Sequence, residues 1–228
     1  MASLQQIRTQ IRLLIDQTDS ANSDFSDSEL DGFTNEGQRF LAVLTKYPRD
    51  RVEVQAQEGY PGYTLPSDSI LIFDVYFGNV NTAGDHLPIQ VLNESQMKEF
   101  RPNWLDQTTG SRGRPDTAVL VDRTTVVISP TPNAAESATG KKLELVYVFY
   151  PSTLSANGDT PVIPIVFHDL LSQYGQYKCY MSKLNKPDLG TSIFNQIVEK
   201  AKILEPIVTK EFHSQGFVFG NFAGRYPE

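Results

Sequence analysis

Pro161-Val-Ile-Pro-Ile-Val-Phe-His-Asp-Leu-Leu171 is the stretch on which the fold reading turns, because there strand-like sequence gives way to helix. A proline suits the opening of a helix, where its missing N–H would have had no intrahelical partner. Beyond Pro164, the residues Val166, Leu170, Tyr174, Tyr177 and Met181 recur at spacings of three and four and predict a helix running to about Leu184. After Pro187, the series Phe194, Ile197, Ala201, Leu204, Val208 and Phe212 predicts a longer helix that Pro206 should kink.

The stretch before Pro161 reads differently. From Arg51 the segment Val-Glu-Val-Gln-Ala-Gln alternates, Tyr63-Thr-Leu-Pro66 is extended before its proline, and Ser69 to Phe77 is β-branched and aromatic. Further strands are expected at 87–92, 117–121, 124–129 and 142–150, separated by turn-forming residues, with one short helix at Glu94 to Phe100. At the N-terminal end, Leu4, Ile7, Ile11, Leu14 and Ile15 form one helical stripe. Ser26 and Glu29 have the spacing of a capping box, and Leu30, Phe33, Phe40, Leu41 and Leu44 continue at helical period until Pro48.

Each helix has one apolar stripe that must leave water, and burying the four together joins the two ends of the chain. The expected fold class is therefore α+β: a four-helix bundle formed by N- and C-terminal helical pairs, with an inserted antiparallel β-domain. The expected segments are a helical pair at 1–50, the β-rich insert at 51–160, a second helical pair at 161–212 and an aromatic extension at 213–228.

Chemistry is sparse. His86, His168 and His213 lack metal-ligand spacing with one another or with the single cysteine, Cys179, whose expected role is that of a small buried side chain. One cysteine permits no intrachain disulfide and fits a reducing compartment. No nucleophile elbow, phosphate-binding loop or dinucleotide fingerprint is present. The acids Asp16, Asp19, Asp24, Asp27, Glu29 and Asp31 lack the register of a calcium loop and suit the start of a helix. Asp74 and Asp122 lie in or beside strands with no assignable catalytic partner, so no enzyme and no cofactor are expected. A net charge of −7 argues against a surface built to grip nucleic acid. Arg8 and Arg12 interrupt the only N-terminal apolar run, and no stretch approaches the length of about 18 apolar residues that a span needs, so neither export nor a membrane helix is expected.

Two segments stand out as contact candidates. The loop Thr108-Thr-Gly-Ser-Arg-Gly-Arg-Pro-Asp116 places Arg112 and Arg114 in an otherwise acidic protein, either as a solvated loop or as a partner-contacting one. The tail from His213 to Glu228 sets Phe217, Phe219, Phe222 and Tyr226 among glycines. Such aromatic surface needs cover, from its own domain or from a groove on a partner.

In order and spacing, a run of features resembles the head-to-tail adaptor, or connector, proteins of short-tailed bacteriophages. They are Asp16-Gln-Thr-Asp19 after the first helix, Phe25-Ser-x-x-Glu29-Leu30-x-x-Phe33-x-Asn35-Glu36, Tyr63-x-Leu-Pro66-x-Asp68, Val127-Ile-Ser-Pro130-x-Pro132, Leu145-Val-Tyr147-x-x-Tyr150 and Ile163-Pro164-x-x-Phe167-His168-Asp169-Leu170-Leu171. The resemblance covers most of residues 1–212. It implies a virion protein of the neck or tail, assembled in the host cytoplasm, that forms a homo-oligomeric ring of twelve subunits. Its implied partners are the portal protein and the tail nozzle or tail tube protein, with DNA only in non-specific transit through the channel and no membrane. The aromatic tail would then anchor in the portal. Another neck or tail-completion (terminator) subunit is the alternative reading.

Overall fold

Two reciprocal hydrogen-bond pairs start the first two helices of the chain. Ser3 Oγ accepts from the Gln6 amide while Gln6 Oε1 accepts from the Ser3 amide, and Ser26 and Glu29 repeat the arrangement. Helix α1 spans Leu4–Leu14 and α2 spans Asp27–Thr45, where Lys46 in the left-handed region ends it ahead of Pro48. The computed structural model describes residues 2–17, 23–82, 84–106, 108–122 and 124–214, with side chains through residue 208. By backbone contacts these divide into two compact units, one of residues 2–48 with 150–214 and one of residues 49–149.

In the first unit, a single 3-10 turn at Ile165–Phe167 precedes α4 (His168–Met181), which is followed by α5 (Pro187–Ser214). Helix α4 packs against α1, α2 and α5. Glycines allow two of these approaches. A Cβ on Gly175 would overlap the Ile11 side chain, and one on Gly37 would press on the Tyr174 ring. Ile7, Ile11, Leu30, Leu41, Phe167 and Leu171 are wholly buried in the core that results. The first amides of α1 are satisfied from the far end of the chain, Leu4 donating to the Asp159 carbonyl at 2.8 Å and Gln5 to the Asn157 carbonyl at 3.2 Å.

The second unit holds seven strands and one helix: β1 (Arg49–Gln55), β2 (Gly62–Thr64), β3 (Ser69–Asn79), β4 (Leu87–Leu92), α3 (Glu94–Phe100), β5 (Thr117–Asp122), β6 (Thr125–Ser129) and β7 (Lys141–Phe149). The sheet runs β1-β7-β3-β4-β5-β6-β2. All pairs are antiparallel except β4 with β5, which are parallel because α3 and the following loop carry the chain back across the sheet. Every strand contributes to one inner core, which includes Val54, Tyr63, Phe77, Ile89, Ala118, Ile128 and Leu143, so the sheet curls into a nearly closed, barrel-like form. Alternation puts Val119 and Val127 on the other face, where Met97 and Trp104 cover them.

These observations correct the expected class. The protein is α+β, but its described residues form five α-helices and a seven-stranded barrel-like sheet, in place of a four-helix bundle with an inserted antiparallel domain. The physical reason is that an apolar stripe shows that a helix is buried without naming its neighbour. Here α4 takes three neighbours, and α3 belongs with the strands. Strand alternation likewise carries no information on order, so the parallel pair was not legible.

Replacing Gly175 by alanine forces the buried Ile11 side chain aside. A loss of about 1–3 kcal/mol is expected, the usual range for an overpacked core. Urea unfolding followed by far-UV circular dichroism checks it, and an unchanged midpoint would contradict the close-packed helix contact.

Candidate functional site

The loop from Thr108 to Asp116 is tied down along its length. Thr109–Ser111 form a 3-10 turn, and Ser111 Oγ donates to the Asp106 and Thr108 carbonyls at 3.0 and 2.8 Å. The Gly113 amide then donates to the Thr131 carbonyl at 2.9 Å. Arg112 and Arg114 diverge from this point. Arg112 pairs with Glu58 at 3.2 Å, its guanidinium filling the space that a Cβ on Gly59 would need. Gly59 adopts a φ of +67, so both its backbone and its surroundings favour glycine.

Arg114 reaches the connection between β3 and β4. It pairs with Asp85 at 2.6 Å, donates to the Phe77 carbonyl at 3.3 Å and to the Asp85 carbonyl, and lies 5.8 Å from the Phe77 ring centroid. Asp85 also accepts from Lys141 at 2.8 Å and from the Asn79 amide at 2.9 Å. Lys141 and Arg114, in that order, hold the Asp85 carboxyl far below the ordinary carboxylate range, and Asp85 in turn raises Lys141. A third arginine, Arg101, bonds to Asp116 at 3.0 Å and to Ser129 Oγ at 3.0 Å. Its role was not legible from local pattern, since its partners lie 15 and 28 residues away. The loop is therefore a fixed ledge with an exposed turn at Thr108–Gly110.

The tail residues Phe217, Phe219, Phe222 and Tyr226 lie outside the described residues. His168 is buried: its Nε2 lies 3.0 Å from the Ile163 carbonyl, and Nδ1 accepts from the Ala2 amide at 3.3 Å. Burial lowers its pKa. Cys179 is fully buried and its thiol is pushed up to about 12, so it is a packed apolar group and not a nucleophile.

Asp27, Glu29 and Asp31 of α2 are used as ion-pair partners. Arg8 bonds to Asp31 and Asp27, and Arg12 bonds to Asp27 at 2.7 Å and to the Phe25 carbonyl at 3.0 Å. The Arg12 hydrogen bond does most to hold Asp27 below its ordinary value. Glu29 is drawn down to about 2 by Lys183 and by Ser26. Sequence reading missed this arrangement, although Arg8/Arg12 and Asp27/Asp31 are both spaced four apart, as two helix faces meeting in register would require. Among the described residues, no three His, Cys, Asp or Glu side chains converge as a metal site would need. No helix among them is long and apolar enough to cross a membrane. Large apolar side chains do remain exposed, Leu13, Phe100, Leu105, Ile165 and Ile203 each more than half.

Fixed ledges and exposed apolar side chains on two separately cored units suit a protein that is held by other proteins, and comparison with known families places it among the bacteriophage adaptors. A family model described as SU10 adaptor protein matches residues 2–203, a span that takes in the second unit and the first unit up to residue 203. The chain belongs to the SU10 adaptor protein family. It is a structural component of the virion that interacts with other phage structural proteins. No curated protein matches it.

Asp85 gives the second unit a pH dependence of definite sign. Its folded pKa is depressed, so its contribution is fully present above the ordinary carboxylate value and is lost as pH falls through the acid range toward the folded value. Asp85→Asn is expected to lower stability at neutral pH by about 1–3 kcal/mol, the range for breaking a charged, largely buried hydrogen-bond set. It should also flatten the loss of stability in acid. The emission of Trp104, the single tryptophan, packed against Met97 in the same unit, reports the urea midpoint at each pH. Equal acid slopes in the two proteins would contradict the assignment.

Proposed function

We propose that copies of this chain form a ring of twelve subunits that joins the portal of the head to the tail nozzle or tail tube of a short-tailed phage. The genome passes through its centre. The observation that carries this reading is the family match through both units, which leaves Met1 and residues 204–228 outside it. The aromatic tail lies in that unmatched remainder, where partner-specific sequence is expected, and it serves as the portal anchor. The turn at Thr108–Gly110, held by the Arg112 and Arg114 pairs, is offered to a second partner. The protein works without catalysis and without a cofactor. Its net charge of −7 keeps DNA from adhering where the genome passes close to it.

A chain ending at His213 tests the anchor. It is expected to keep the far-UV spectrum and Trp104 emission of the full chain while losing most of its binding to the portal in a pull-down or in particle assembly. Normal docking of the shortened chain would overturn the anchor assignment.

A further inference from the structure

We infer that Asn157 is a self-modification site, at which the chain closes a succinimide on the Gly158 nitrogen and reopens it as aspartate or isoaspartate, in the turn that caps α1. The inference is independent of the ring reading.

Asn157-Gly158 is the one Asn-Gly pair in the sequence. A following glycine, having no Cβ, leaves the approach of its own nitrogen to the asparagine side chain unhindered. The fold keeps both reacting groups available. Asn157 and Gly158 form an exposed turn, and a Cβ built on Gly158 meets nothing within 4 Å, so a five-membered ring has room to close. Neighbouring amides are occupied: those of Ser155 and Ala156 donate to the Asp159 carboxylate at 2.7 and 2.8 Å, and that of Asp159 donates to the Ala156 carbonyl at 3.0 Å. Among the described residues, neither the Gly158 amide nor the Asn157 side chain has a hydrogen-bond partner. Asp31-Gly32, a pair open to the same cyclisation in an unfolded chain, is placed differently. Its glycine lies inside α2 and its carboxylate is bonded to Arg8.

The step is redox-neutral and consumes one water for each ammonia released. Hydroxide takes the Gly158 amide proton, and the nitrogen attacks Asn157 Cγ. The N–Cγ bond forms, the Cγ–Nδ2 bond breaks, and Nδ2 leaves as ammonia with its added proton drawn from water. Water then adds to one of the two ring carbonyls. Addition at Cγ gives aspartate with the main chain restored; addition at the other carbonyl gives isoaspartate, whose main chain runs through Cβ and Cγ.

The products differ in what they do to the cap. Gln5 donates to the Asn157 carbonyl at 3.2 Å and Leu4 to the Asp159 carbonyl at 2.8 Å, so this turn holds the start of α1. Aspartate keeps both carbonyls in place and brings a negative charge to the positive end of the helix. Isoaspartate adds one carbon to the main chain of the turn and makes the carbonyl that Gln5 uses into a free carboxylate, which takes the two acceptors out of register. The second product therefore releases the first amides of α1.

The test is incubation of the purified full chain in mildly alkaline buffer, followed by trypsin and mass spectrometry. Cleavage after Lys142 and Lys178 releases residues 143–178, a peptide in which Asn157 is the only asparagine. The expected result is a gain equal to the replacement of ammonia by water, growing with time and faster as pH rises, divided between aspartate and isoaspartate forms. Gly158→Ala is expected to slow it severalfold. Alanine fits there, since the space is open and the φ of Gly158 lies outside the left-handed region, and an unchanged far-UV spectrum establishes that the variant folds. Hydrogen exchange at the first turn of α1 is expected to quicken in the isoaspartate fraction. No gain in the folded chain, under conditions in which a synthetic peptide of residues 154–161 reacts, would overturn the site. An equal rate in Gly158→Ala would overturn the cyclic route, and unchanged exchange would overturn the effect on the cap.

Discussion

The absent side chain at Gly175 is the constraint on which the helical unit depends. It lets Ile11 of α1 sit directly against α4, and one residue earlier the Tyr174 ring covers Gly37 of α2. Tyr174 also donates its hydroxyl to Glu36 at 3.0 Å, a carboxylate that Lys178 shares at 2.9 Å. Helix α4 is thus gripped by both N-terminal helices. Neither end of the chain can complete its core without the other, as the capping of α1 by the carbonyls of Asn157 and Asp159 repeats at the level of single hydrogen bonds.

The same economy governs charge. Burying a cation is costly unless it is paired and hydrogen-bonded. Arg8 and Arg12 in one unit, and Lys141 in the other, meet that condition through Asp27, Asp31 and Asp85. The functional consequence lies on the outside. Charges consumed internally leave the outer face of α1 free of them, and they fix the Arg114 loop as a ledge. The outer face of α1 and the Arg114 ledge are in this sense products of internal ion pairs.

Much of the local structure was legible. Helix α3 falls on the expected Glu94–Phe100, the Ser26–Glu29 box is formed as read, and the strands at 87–92, 117–122 and 125–129 lie within a residue or two of expectation. These depend on neighbours in sequence, which capping, periodicity and turn chemistry report well. Val166 and Met181 were placed on the buried stripe of α4 and are instead exposed, because the helix begins only at His168, after a 3-10 turn, and ends at Met181. What could not be read depends on distant partners: the parallel β4–β5 pair, the curl of the sheet, and the reach of Arg114 to Asp85 across 29 residues. Of the candidate contact residues, Arg112 and Arg114 are placed as supports of their loop, while the aromatic tail lies beyond the described residues.

The proposed assembly role would give these features a common purpose, since a ring subunit needs a frame that does not yield when its neighbours pull on it. The claim at the centre of the account is that this family member occupies the junction of head and tail as a ring. Electron cryomicroscopy of the intact virion neck tests it most directly. The account predicts a twelve-fold ring of this chain between the portal and the tail nozzle or tube, with an open central channel; density for the chain elsewhere in the particle, or as isolated copies at the neck, would contradict it.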